Sequence, residues 1–195
     1  MSKSDPAASR KERNKTIRWV VTIFFVTIII SGLISLGSEE LMASSNTIVA
    51  FLILLTIVMI GIIFDIIGMA VATADEKPFH SMAARKVAGA QEAISLLRNA
   101  ERVSSICNDV VGDICGVVSG SASATIAAQV LQNFEFSWPR LVSLVMSALV
   151  AGLTVGGKAV GKTIAINSCT AIVHSVGRAL YRLHHIPDLF RREKS

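Results

Sequence analysis

From Thr47 to Ala74 the chain holds 28 residues that are almost all apolar, and Asp65 is the single charge among them. A helix of roughly 20 apolar residues crosses a bilayer core, so this run is long enough to span. A carboxylate in the middle of a span costs about 2.5 to 3.5 kcal/mol on insertion scales, and such a group faces a partner, an ion or water rather than lipid. The chain therefore reads as a membrane protein with polar chemistry at membrane depth. Its composition points the same way: 52% hydrophobic and 17% charged over 195 residues, with a mean hydropathy of +0.58. A soluble domain of this length would struggle to bury so much apolar side chain.

Four spans are predicted, at about residues 19–36, 47–73, 105–131 and 141–157. The third is the most polar, carrying Asn108, Asp109, Asp113 and Gln129, whereas the fourth is free of charge from Leu141 until Lys158 interrupts it. Trp19 and Trp138 stand at span ends, where amphipathic rings anchor. Residues 1–18 read as a basic tail, 19–183 as one membrane domain and 184–195 as a charged tail. The first apolar core is longer than the roughly 7 to 15 residues of a signal peptide, and Ala43-Ser44-Ser45 is a poor cleavage site, so a retained span is expected.

Lysine and arginine gather before Trp19, between Lys77 and Arg102, and beyond Arg178. By the positive-inside rule these segments are cytoplasmic, and Gly37 to Asn46 and Gln132 to Arg140 face outward. A multi-pass protein of the cell membrane with both termini cytoplasmic is expected. The net charge of +5 serves orientation, because the basic residues adjoin apolar segments and lack interleaved aromatics; the bilayer is the partner and nucleic acid is not. Cys107, Cys115 and Cys169 lie in or near apolar segments, where packing is the default role.

Two amphipathic helices complete an all-α integral membrane fold. Over residues 78–102, Ala83, Val87, Ala90, Ile94 and Leu97 oppose Arg85, Lys86, Glu92 and Arg98; over 163–183, Ile172, Val176, Ala179 and Leu183 oppose Arg178 and Arg182. Both are expected along the inner membrane surface. Gly112, Gly116 and Gly120 recur every fourth residue ahead of Ala124, and Ala148, Gly152 and Gly156 do the same in the fourth span. Such ridges let helix backbones approach closely in lipid, and packing is their expected role.

Gly156, Gly161, Lys162 and Thr163 satisfy the phosphate-binding pattern G-x-x-x-x-G-K-T. That chemistry needs a strand before the loop, a helix after it and a soluble sheet domain. A membrane span precedes this copy, so nucleotide binding by Gly156–Thr163 is not expected. Asp109 and Asp113, by contrast, stand one helical turn apart with Asn108 on the adjacent flank. Two carboxylates on one face of a span call for a counter-charge. A divalent cation such as magnesium, which takes oxygen ligands, the ammonium of Lys158, or solvation of Asp109 at headgroup level would each answer that need.

The order of these elements resembles the transmembrane domain of the CorC/CNNM magnesium transporters. The residues that carry the resemblance are Phe64 to Thr73 against the family's S-E-T-A segment, Leu96 to Ser105 (LLRNAERVSS) against L-L-x-x-P-E-R-x-x-S, and Gly157 to Thr163 against G-E-x-I-P-K-T. It covers about Thr47 to Leu183, with the first span as an addition, and it implies magnesium or related divalent-cation transport by a dimer. The departures fall on the ion chemistry. Ile67 and Gly68 stand for the family's Ser and Glu, Lys158 for the Glu of G-E-x-I-P-K-T, and Gly161 for its Pro. The family's Asn pair corresponds to Asn108-Asp109 or, in another register, to Gly112-Asp113. A regulatory cystathionine-synthase-type domain, usual in that family, is not expected here.

Two functions follow from this pattern. In the first, Asn108, Asp109, Asp113 and Asp65 line a route for magnesium or a related cation. In the other, the chain is a degenerate relative that scaffolds or regulates membrane partners, with Lys158 in place of the ion. Enzymatic activity is not expected, since His80, His174, His184 and His185 show no nucleophile or metal-ligand spacing.

Overall fold

A computed structural model describes residues 6–133 and 138–192 of the chain. Every regular element among them is helical: α1 (Pro6–Ala43), α2 (Thr47–Thr73), α3 (Lys77–Ala84), α4 (Ala90–Arg98), α5 (Ala100–Ser105), a π-helical segment (Ile106–Gly112), α6 (Asp113–Asn133), α7 (Pro139–Asn167) and α8 (Cys169–Arg192). The stretches Ile17–Met42, Thr47–Thr73, Ala100–Asn133 and Pro139–Asn167 are long and apolar enough to cross a membrane. The protein is thus an all-α, multi-pass membrane protein. Phe134 to Ser137 of the outer connection, and Lys3 and Lys194 of the tails, lie outside the described residues.

The boundaries differ from expectation where charge had been taken as a stop. α7 does not end before Lys158 but continues to Asn167, and α8 begins only at Cys169. Helix geometry tolerates a charge wherever a neighbouring helix offers a partner, so Lys158 is an interior position of α7. The predicted amphipathic helix over 78–102 is broken into three pieces, first by a turn in which Lys86 has φ 55° and Gly89 φ 84° and again at Asn99 between α4 and α5. Glycine adopts that left-handed backbone at little cost. The first helix begins at Pro6, so most of the expected tail is helical.

Helices α2, α6 and α7 pack on one another, and α1 lies mainly along α6. Toward the α1–α2 turn, Met42, Leu54, Val58, Ile126 and Val150 close one buried cluster. The Gln129 amide donates from α6 to the Met42 carbonyl at 2.8 Å, a carbonyl at the end of α1 that also accepts from Ser45 N at 3.2 Å. On the other flank Ile23 of α1 and Ile57 of α2 pack against Val110, Ile114 and Val118.

The apolar sides of α3 and α4 and the first turns of α8 pack inside the protein, while Leu180 and Leu183 further along α8 stay exposed. Phe79, Ala93, Ile94, Leu97 and Val173 form one buried cluster with Ala70 and Val71 at the end of α2. Helices α4 and α8 cross where Gly89 faces Gly177, and a Cβ at either position would overlap the opposing backbone. The start of α1 joins this basic end through Arg102, whose guanidinium lies 5.5 Å from the centre of the Trp19 ring, within cation–π range. Trp19 of α1, the first turns of α8 and the short helices therefore share one side of the spans.

Replacing Gly177 with Val is expected to unseat α8 while the α2–α6–α7 spans keep their helicity. Trypsin should then cut after Arg178 and Arg182 much faster than in the native protein; an unchanged cleavage rate would contradict the crossing.

Candidate intramembrane charge site

Helix α7 reaches α2 through two glycines. A Cβ on Gly157 would overlap the Ile62 side chain, and one on Gly161 would come within 2.7 Å of Ile66 Cγ1. Only glycine allows so short an approach. Lys158 follows the first of these contacts and is carried to the level of Asp65 on α2. From the third side the end of the π-helical segment also presents a glycine: a Cβ on Gly112 would stand 3.3 Å from Lys158 Nζ and 3.8 Å from Asp65 Oδ1. Any larger residue at 112 would crowd the ammonium.

In this gap Lys158 Nζ lies 3.6 Å from Asp65 Oδ1, with the two side chains 27% and 17% exposed. The separation is that of an ion pair rather than a close hydrogen bond. The acid that made the second span anomalous and the base that interrupted the fourth thus neutralise each other. Each would otherwise carry an uncompensated charge into hydrocarbon.

One turn further along both helices, the π segment brings a second polar group to α2. A π turn holds more residues than an α turn and commonly marks functional positions. Here it directs Asn108 onto Gly68, where a Cβ would overlap the Asn108 amide. Asn108 Nδ2 lies 3.4 Å from Ser104 Oγ, and Oδ1 is buried without a hydrogen-bond partner. A carboxylate and an unpartnered amide oxygen are the donor types a hard cation prefers.

The other two expected residues stand apart from this pair. Asp109 is exposed in the single chain and accepts from Ser105 Oγ at 2.7 Å. Asp113 is also exposed, and no described residue pairs with it. Lys158, one of the counter-charges expected for Asp109 and Asp113, pairs with neither and meets Asp65 instead. Among the described residues no three of His, Cys, Asp and Glu stand close enough together to hold a metal ion. The Gly156–Thr163 segment lies wholly inside α7, so its backbone amides belong to a helix and form no phosphate cradle. Gly116, Gly120, Gly152 and Gly156 have open space where a Cβ would go; close contact among the spans falls instead to Gly61, Gly68, Gly112, Gly157 and Gly161.

Breaking the pair from one side leaves a charge without its partner, which costs about 3 to 5 kcal/mol for a buried pair. Asp65→Asn and Lys158→Met are each expected to lower the thermal stability of the protein in lipid, and the double substitution to recover most of the loss. Additive losses in the double variant would show that the two groups do not interact. No protein-family model, curated protein or solved structure matches the chain.

Proposed function

We propose that this is a CorC/CNNM-like membrane protein in which the ammonium of Lys158 occupies the place of the transported cation. One observation carries the reading: Lys158 Nζ stands 3.6 Å from Asp65 Oδ1, so the acid of the second span already has a positive charge tethered to it. In this state the protein does not pass magnesium. It serves as a scaffold or regulator of other membrane components, sits in the cell membrane with both ends cytoplasmic, and pairs with a second copy as the resemblance implies.

A second reading keeps transport of magnesium or another divalent cation, with the ion displacing Lys158 from Asp65. It is favoured by the buried Asn108 Oδ1, which lacks a hydrogen-bond partner beside the same stretch of α2. An incoming cation would find there one carboxylate and one amide oxygen, with Asp109 in the π segment and Asp113 at the start of α6 as further acids on the exposed side.

Calorimetric titration of magnesium into the protein in nanodiscs separates the two. The native chain and Asp65→Asn should show no saturable binding, and Lys158→Glu should gain it, because a second carboxylate then replaces the tethered cation. Saturable binding to the native chain that Asp65→Asn abolishes would overturn the first reading in favour of the second.

A further inference from the structure

The outer face of the α6–α7 pair is unfinished in the single chain. A groove of about 210 Å³ runs between the two helices, lined by Gly116, Ser119, Gly120 and Ser123 on one side and by Ala151 and Thr154 among others on the opposite side. Ser119, Ser123 and Thr154 donate to carbonyls of their own helices. The groove is thus small-walled and offers few free donors, the kind of surface against which another helix packs in lipid.

Both walls of the groove end in charges toward the basic end of the molecule. On α6 the stripe through Gly116 and Gly120 extends back through Asp113 to Asp109; on α7 the stripe through Ala151 and Val155 extends forward to Lys162. Their depths match. Gly161 lies against Ile66 of α2, and Gly112 lies against Asp65 of the same helix, so Lys162 stands at a level between Asp109 and Asp113. Lys162, Asp109 and Asp113 are all exposed, and no ion pair joins them to any described residue. Within one chain, Asp113 would face hydrocarbon unpaired, which membrane-embedded acids avoid.

We infer that a second copy of this chain docks on the α6–α7 face, setting Asp109 and Asp113 of each copy against Lys162 of the other. In a twofold interface the contact of one residue with another is made twice, with the roles exchanged. An acidic wall and a basic wall on one face are therefore self-complementary, and the bare glycines let the backbones come together. The inference rests on the pairing of two chains and assigns its face and its charges; it is independent of whether the Asp65 site takes an ion.

The test is single-molecule photobleaching of the full-length protein in lipid vesicles over falling protein-to-lipid ratios. The native chain should give two-step bleaching. Lys162→Glu alone, or Asp109→Lys together with Asp113→Lys, should weaken pairing by about tenfold or more, and all three substitutions together should restore it. Gly120→Leu projects into open space within the chain, so the fold is kept, and it should weaken pairing by obstructing the face. Single-step bleaching of the native chain at every ratio would overturn pairing itself. Two-step bleaching indifferent to the charge reversals and to Gly120→Leu would leave pairing standing and overturn this face. Loss on reversal without recovery in the triple variant would overturn the opposition of these charges.

Discussion

The membrane interior offers no water to solvate a charge, and the contact between Lys158 and Asp65 is how this fold meets that constraint. An ammonium and a carboxylate from helices far apart in sequence are brought to 3.6 Å, which fixes the register of α7 on α2. The attraction also lets each helix carry a charge that would be costly alone. Helix α6 is then confined to the remaining side, with Gly112 against the pair.

The contact depends on what is missing from the neighbouring residues. Gly157 and Gly161 lower α7 onto Ile62 and Ile66, and Gly112 keeps α6 clear of the ammonium. The π segment from Ile106 to Gly112 then turns Asn108 inward, while Asp109 and Asp113 remain on the exposed side. Polar residues of one span are sorted in this way into two groups. One is committed to the interior and the other is available to a surface outside the chain.

Much of the fold was legible from periodicity and length. The Thr47 to Thr73 span, the basic side of the bundle and the anomaly of Asp65 all follow from hydropathy and from the energy of charge in hydrocarbon. The partner of Asp65 was harder to find, because Lys158 reads as the end of a span when α7 is judged alone. The helix in fact runs on to Asn167, and what permits it is a carboxylate more than ninety residues earlier, a fact of tertiary structure. The two lone opposite charges, one in each of two otherwise apolar helices, were the available signal. Spacing likewise grouped Asp109 with Asp113, but it could not tell which face α2 and α7 would cover. Nor could periodicity foresee the break at Lys86 to Gly89, where close packing of Gly89 on Gly177 decides the path.

The fold turns on the contact of Lys158 Nζ with Asp65 Oδ1 at 3.6 Å. Solid-state NMR of the protein in bilayers, with lysine labelled at ¹⁵Nζ and aspartate at the ¹³C carboxyl, measures that proximity through dipolar coupling. A short-range coupling present in the native chain and absent in Asp65→Asn is the predicted result. A coupling that survives Asp65→Asn and disappears in Asp109→Asn or Asp113→Asn, or no short-range coupling at all, would contradict it.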